Sequence, residues 1–241
     1  MTGLVERDGD TVRRPMKPWS PSVHDLLRHL ESVGFAAPRV LDVEGDTEVL
    51  TWIDGDSGAD GWRMVVPEDG LARWGRFLRE YHEAVAGYVP AAGTPWSSGA
   101  AACGPGEIVC HGDFGPWNAV WRDGEVVALL DWDHARPAPP FFDVAYALEY
   151  AAPFRDDEEC VRSLSYPGPP DRRRRIEVFC DAYGVSVPDD VAARVAAQQR
   201  TVLATFEALA ARGLEPQASC RRDGNFDAIR ARIRWTEALA L

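Results

Sequence analysis

Apolar residues recur at helical spacing in some stretches and alternate at strand spacing in others, and the change of period divides the chain. Val23, Leu26, Leu27, Leu30 and Val33 fall three and four apart. That predicts a helix over 21–33, with Ser20 as N-cap, Pro21 at the first helical position and Gly34 as the stop. Strand-like runs flank it. Leu4–Arg7 and Thr11–Arg14 surround a turn at Asp8–Asp10, with Pro15 and Pro18 ending the second run, while Arg39–Val43 and Thr47–Ile53 surround a turn at Glu44–Asp46. The cluster Asp54–Gly58 reads as a hinge. A second helix is predicted over 68–89, striped by Leu71, Trp74, Leu78, Tyr81 and Val85. A Gly-, Ala-, Pro- and Ser-rich loop follows over 90–106. Short strands are predicted at 107–110, 119–121 and 126–130, the last two joined by an Asp123–Gly124 turn. Helices are predicted at 142–152, 171–183, 189–212 and 225–240, with Asp189 and Asn225 as caps. The order is that of an α+β chain. Residues 1–54 form a small N-terminal sheet carrying one helix, and residues 55–241 form a larger, mainly helical part with a few strands at its mouth.

Charge narrows the partners. The 241 residues carry 26 basic and 38 acidic side chains, a net of −12, which argues against nucleic acid as a partner because that affinity comes from basic groups displacing counterions. No apolar run reaches the roughly 20 residues that span a bilayer, so no membrane partner is expected. The opening Met1–Asp8 shows no basic segment followed by an apolar one, and so no readable signal peptide. The five cysteines include no C-x-x-C pair, so neither a disulfide framework nor a zinc knuckle is expected and a reducing cytoplasm is the predicted location. Lys17 is the only lysine among the 26 basic residues. Any chemistry that calls for a lysine must use it or substitute arginine.

The chemistry-bearing segment is His111-Gly112-Asp113-Phe114-Gly115-Pro116-Trp117-Asn118, followed by Asp131-Trp132-Asp133 and Phe142-Asp143. Asp113 and Asn118 share one loop between strands, and Asp131 ends the strand that returns beside Asn118. Two carboxylates and an amide oxygen therefore reach one rim of a short sheet. Hard oxygen donors of this kind suit Mg²⁺ bound together with substrate phosphates, and a carboxylate clear of the metal can accept the proton of an attacking hydroxyl. An alternative arrangement is a metallohydrolase using His111, Asp113, Asp131 and His134, which needs both imidazoles as ligands.

The HGDFGPWN loop resembles the H-G-D-x-x-x-x-N catalytic loop of the aminoglycoside phosphotransferases and related small-molecule kinases, which are cousins of the protein kinases. The 13-residue step from Asn118 to Asp131 and the 12-residue step from Asp131 to Asp143 match that pattern as well. The resemblance implies a bilobal protein-kinase-like fold. Asp113 becomes the catalytic base, with His111 orienting its loop, and Asn118 and Asp131 become the Mg²⁺ ligands. Asp143 becomes a buried brace on the loop backbone, and Asp133 either a second metal contact or merely polar. The hinge residues Trp52, Ile53 and Asp54 become the adenine side of an ATP or GTP site. Arginine stands where the phosphate-pairing lysine is expected. Strand alternation favours Arg14 over Arg13, and Lys17 lies off the strand between two prolines.

Two departures accompany the resemblance. Helix 21–33 has no glutamate at the centre of its inner face, which Glu31 and His24 flank. No G-x-G-x-x-G precedes the arginine-bearing strand, where Gly3 and Gly9 are the available glycines, so a shortened N-terminal lobe is expected. The implied activity is ATP- and Mg²⁺-dependent phosphorylation of a hydroxyl on a small molecule, an aminoglycoside-like compound or another metabolite or antibiotic. The alternative is a weakly active or inactive kinase-like binding protein, since small proteins of the trifolitoxin-immunity type look similar in this loop. Trp117 and Trp132 are expected near the cleft. Arg172–Arg175 read as the solvated face of a helix. His24 and His29 read as surface or core-edge residues, and His82 as either a contact to the catalytic loop or a satisfied helix histidine. The acidic run Asp156–Glu159 reads as a steering patch or a solvated loop.

Overall fold

The computed structural model describes residues 5–91, 93, 95–100 and 102–241. Leu4 of the expected first strand, and Gly3, lie outside the described residues. Strands β1 (Glu6–Asp8), β2 (Thr11–Pro15), β3 (Val40–Glu44) and β4 (Thr47–Thr51) form one antiparallel sheet in the order β1-β2-β4-β3. The connection from β2 to β3 is α1 (Ser20–Ser32), whose Val23, Leu26, Leu27 and Leu30 are buried. Trp19, rather than Ser20, holds the N-cap position. The Ser20 N–H turns back onto the Lys17 carbonyl at 2.9 Å, and its hydroxyl accepts from the Lys17 N–H at 2.9 Å, so Ser20 is already inside the first turn.

The segment expected to be a hinge is stitched down. Asp56 and Trp121 exchange both backbone hydrogen bonds at 2.8 Å, and Gly58 N–H donates to the Trp117 carbonyl at 2.9 Å. It leads into α2 (Ala59–Met64), a short helix too brief to show a stripe in the sequence, and α3 (Glu68–Val85). The latter stops short of residue 89, where Gly87 and Pro90 interrupt the helical run. Strand β5 (Ile108–Cys110) pairs with β8 (Arg136–Ala138), and β6 (Ala119–Arg122) pairs with β7 (Glu125–Leu129). Asp123 and Gly124, both at positive φ, make the tight hairpin turn between the last two. Strand β8 was not expected, because Pro137 and Pro139 disguise an edge strand of only three residues.

The remaining elements are α4 (Phe141–Ala151), α5 (Asp157–Ser163), α6 (Arg172–Tyr183), α7 (Val191–Ala211), α8 (Gln217–Arg222) and α9 (Asn225–Ala238). The acidic run opens α5, where Asp156 caps the helix by accepting from Glu159 N–H at 2.8 Å. Asp190 and Gly224, not Asp189 and Asn225, sit at the N-cap positions of α7 and α9. Asp190 turns instead to Arg194 one helical turn on, at 2.7 Å. No helix among the described residues is long and apolar enough to cross a membrane.

The principal core joins Leu26 and Leu30 of α1, Leu71, Trp74 and Tyr81 of α3, and Val144 and Leu148 of α4 around Phe114 and Trp132. Arg175 corrects the solvated-face reading of Arg172–Arg175. It is 6% exposed and donates to the carbonyls of Ala151, Val66 and Val65 at 2.7, 2.7 and 2.5 Å, tying α6 to two chain turns. Arg173 and Arg174 do remain exposed. Helices α3 and α6 approach so closely at Gly75 that a Cβ there would stand 2.8 Å from the Phe179 carbonyl and 3.2 Å from the Ala182 Cβ. Gly75→Val is expected to lower unfolding free energy by about 1–3 kcal/mol through overpacking. The check is a urea titration whose midpoint falls while its slope is unchanged.

Candidate active site

The loop between β5 and β6 is held from beneath by α4. Asp143, fully buried in the first turn of that helix, accepts from the backbone N–H groups of His111 at 2.7 Å and Gly112 at 2.9 Å. It also faces His82 Nε2 at 3.2 Å, and His82 Nδ1 meets the Tyr183 hydroxyl at 2.8 Å. His82 thus reaches the loop through Asp143. Cys110 lies in the same buried group. Its thiol is pushed well above its ordinary pKa by burial, and both Asp143 oxygens already accept N–H donors, so the group is a hydrogen-bonded brace.

Gly112 explains the sharp start of the loop. It sits at φ +79°, and a Cβ there would lie 2.0 Å from the His134 carbonyl, so the loop backbone is pressed against the turn after β7. His111 is sealed behind it with both ring nitrogens engaged. Nε2 donates to the Leu130 carbonyl at 2.9 Å, and Nδ1 accepts from Asp113 N–H at 3.3 Å. Burial lowers its pKa against the opposing pull of Asp143 and Asp113. A neutral ring with those two bonds has no lone pair left for a metal, which removes the metallohydrolase arrangement.

Asp113 and Asn118 meet directly. Asn118 Nδ2 donates to both the carbonyl and the Oδ2 of Asp113, each at 2.9 Å. The other carboxylate oxygen, Oδ1, accepts from the Tyr146 hydroxyl on α4. Burial raises the Asp113 pKa, with the Asp131 charge acting in the same direction and His134 and the Tyr146 hydrogen bond acting against it. Asn118 also accepts Leu130 N–H at its carbonyl at 2.7 Å, which brings Asp131 alongside the loop. Asp131 is a non-glycine residue at φ +57°, a strained conformation that starts the tight turn Trp132–His134 and leaves its carboxylate about half exposed.

Opposite this rim lies Arg14. The register of β2 against β4 sets Arg14 directly across from Glu48. Arg14 Nε donates to Glu48 at 2.5 Å, one terminal nitrogen donates to Asp133 at 2.9 Å, and the other stands 3.7 Å from Asp131. The second Glu48 oxygen meets His24 Nε2 on α1. Glu48 is 1% exposed and His24 is 3% exposed, so His24 is not a surface or core-edge residue. Burial works to raise the Glu48 pKa, yet His24 and Arg14 together hold it below the usual glutamate range. Burial likewise opposes the Arg14 charge, and Asp133, Glu48 and Asp131 outweigh it. Asp133 itself is pushed up, by burial first and by Asp131, against the pull of Arg14.

Glu48 and Tyr146 are the residues that the sequence reading missed, and His24 is the one it placed at the surface or core edge. Glu48 shares strand parity with the apolar Leu50, as Arg14 does with Val12, and Tyr146 stands three residues after Asp143. Those were the available signals.

A cleft opens between the sheet and the β7 end. Val12, Leu27, Leu50 and Ile53 give it apolar walls, and Arg14 and Asp131 are its charged members. Trp52 and Trp132 also line it. Asp54 does not; its carboxylate accepts from Trp52 Nε1 at 2.5 Å and lies 3.4 Å from Arg7 at the mouth. Arg13 points away to Glu44, and Lys17 Nζ donates to the Glu215 carbonyl at 3.1 Å, so neither joins the cluster. Trp117 packs against Trp62 and Tyr150, with ring centroids 5.1 and 4.6 Å away.

Glu48→Ala is expected to cost about 2–4 kcal/mol at neutral pH, since it strands one nitrogen of a buried guanidinium. The folded Glu48 pKa is depressed, so its stabilisation is present above the usual glutamate range and is lost as pH falls through the depressed value. The difference between native and variant unfolding free energies should therefore shrink in acid, as measured by urea titrations across pH.

The family model described as "Phosphotransferase enzyme family" matches residues 96–175. The trifolitoxin immunity protein of Rhizobium leguminosarum bv. trifolii is 34% identical over 189 residues, covering 76% of this chain and 70% of that protein. Among solved structures, an amicoumacin kinase in complex with AMP-PNP, Ca²⁺ and Ami superposes with a TM-score of 0.59 at 11% identity, over 96% of this chain and 87% of that one. The GDP complex of aminoglycoside 2′-phosphotransferase-IIIa gives 0.59 at 15% identity, over 98% and 88%. A choline/ethanolamine kinase family protein from Mesorhizobium loti gives 0.56 at 15% identity, over 98% and 90%. At such identities the likeness is one of fold.

Proposed function

The chain belongs to the phosphotransferase enzyme family and has its kinase-like fold, and from that premise we propose that it transfers the terminal phosphoryl group of ATP or GTP to a hydroxyl of a small molecule. The observation that carries this reading is that Arg14 and Asp131 face each other at one end of an apolar cleft, with the paired Asp113 and Asn118 on the loop whose Asn118 carbonyl binds the residue before Asp131. In this reading residues 1–54 are the nucleotide side and residues 55–241 carry the loop, the metal-binding turn and the acceptor region. The nucleoside lies along Val12, Leu50, Trp52 and Ile53, and Arg14 faces the phosphates.

Asn118 and Asp131 suit a divalent cation such as Mg²⁺. Asn118 spends its amide nitrogen on Asp113, which leaves the amide oxygen as a hard donor, and Asp131 offers a half-exposed carboxylate held in a fixed, strained backbone. When bound, the cation supplies positive charge to the nucleotide phosphates. The chain's own residues do the rest. Asp113 accepts the acceptor's hydroxyl proton at a carboxylate oxygen, and its raised pKa makes it a better proton acceptor than a solvated aspartate. His111 and Asp143 keep that carboxylate in place. Arg14 is oriented by Glu48 and offers charge that is always present. The acceptor in this reading is an aminoglycoside-like compound or another metabolite or antibiotic.

A second reading, a kinase-like binding or immunity protein without turnover, is supported by the immunity relative and by the engagement of both Asp113 oxygens inside the chain.

Melting curves with and without Mg-ATP or Mg-GTP separate the two. Saturable stabilisation of about 2.7 kcal/mol at a hundredfold excess over Kd, lost in Asp131→Ala, supports the transferase, and indifference to millimolar nucleotide sinks it. Release of ADP across a panel of aminoglycosides, amino alcohols and nucleosides should identify the acceptor. Asp113→Asn should then slow turnover by about 10²- to 10⁴-fold, and undiminished turnover would remove Asp113 as the base.

A further inference from the structure

Each oxygen of Asp113 holds one donor from within the chain, of the two that a carboxylate oxygen can accept. Asn118 Nδ2 donates to Oδ2 at 2.9 Å, and the Tyr146 phenol donates to Oδ1. A hydroxyl about to be phosphorylated must make that same contact, O–H to carboxylate, before it can surrender its proton. Tyr146 makes it from within the chain.

The placement of Tyr146 is built into α4. Asp143 and Tyr146 are three residues apart and so share a helix face. The first grips the loop backbone at His111 and Gly112, and the second grips the loop carboxylate. Tyr146 is 5% exposed, and its ring is held by Tyr150 and Trp117, with centroids 5.3 and 6.4 Å away. Burial and the neighbouring Asp113 charge both push its pKa well above the ordinary tyrosine value, so the phenol stays a donor at neutral pH.

We propose that Tyr146 competes with the acceptor for Oδ1 of Asp113, so that an alcohol held by its own contacts outcompetes the phenol whereas water alone leaves the pair closed. This rests on the phosphotransferase reading above and adds the residue that separates an alcohol acceptor from solvent. The exchange replaces one O–H donor by another on the same oxygen, so its cost is met by contacts over the rest of the acceptor's surface. A water molecule brings no such contacts. It would have to open the pair with one hydrogen bond that merely replaces the one lost.

Tyr146→Phe tests this, because it keeps the packed ring and removes only the donor. In the absence of any acceptor, the reaction to follow is attack of a water oxygen on the γ-phosphorus of ATP. The water proton passes to Asp113, the bond from the γ-phosphorus to the bridging oxygen breaks, and ADP and inorganic phosphate leave. This hydrolysis should rise about tenfold or more in the variant, a fraction of what a freed general base supplies, with stabilisation by Mg-ATP unchanged. A rate that is equal or lower while nucleotide still binds overturns the proposal, and a lower rate makes Tyr146 a positioning residue for Asp113. A second readout needs no nucleotide. Carbodiimide-driven amine coupling followed by peptide mass spectrometry should modify Asp113 several-fold faster in Tyr146→Phe than in the native protein, with Asp143 protected in both. Equal coupling at Asp113 overturns the proposal. If Mg-ATP neither stabilises the native protein nor is hydrolysed by it, the phosphotransferase reading fails, and the coupling result alone decides whether the phenol shields this carboxylate.

Discussion

One buried carboxylate fixes the geometry of the whole site. Asp143 has no contact with solvent, so its charge is tolerable only because N–H donors from the loop and His82 surround it. That necessity runs in both directions. The helix cannot bury Asp143 unless the loop presents its N–H groups, and the loop cannot hold its turn at Gly112 unless α4 supplies the acceptor. His111 then completes the lock by bonding the Leu130 carbonyl next to Asp131 and accepting from Asp113 N–H. The two aspartates that matter for the proposed chemistry are thus positioned by one imidazole, which belongs to neither as a catalyst. Fixing side chains in this way before any ligand arrives is what makes electrostatic stabilisation effective in phosphoryl transfer, where little covalent work falls to the protein.

The parts that were legible in the sequence are those that depend on local spacing. Apolar periodicity located α1, α3, α4, α6, α7 and α9 to within a few residues, and the Asp123–Gly124 turn located the β6–β7 hairpin. The shared loop placed Asp113 beside Asn118, and the hairpin brought Asp131 to the same rim. What escaped was either very short or non-local. Helices α2, α5 and α8 span one or two turns, too few for a stripe to repeat. Strand β8 is short and proline-bearing. The pairing of Arg14 with Glu48 depends on the register between strands separated by all of α1, and no local pattern sets that register. His24 illustrates the same limit. On a helical wheel it flanks the apolar stripe, and only the presence of a buried carboxylate on the facing strand makes it an interior residue.

The chain's near-total reliance on arginine also accounts for where that carboxylate comes from. A lysine ends in a single compact ammonium, which a helix-borne glutamate can meet head-on. A guanidinium is a planar fork, and its Nε lies back along the side chain, away from the two terminal nitrogens. In Arg14 the three nitrogens serve three different carboxylates: Nε serves Glu48 on the neighbouring strand, and the terminal pair serve Asp133 and Asp131 across the cleft. The acid that orients the fork must therefore stand beside the stem rather than beyond its tip. A residue directly opposite on β4 satisfies that requirement, and one at the centre of α1 need not. The helix contributes a histidine there because Glu48, once buried, requires a second donor on its free oxygen, which His24 supplies. The basic group and the acid that orients it thus come from neighbouring strands of one sheet, and the helix supplies the second donor to that acid.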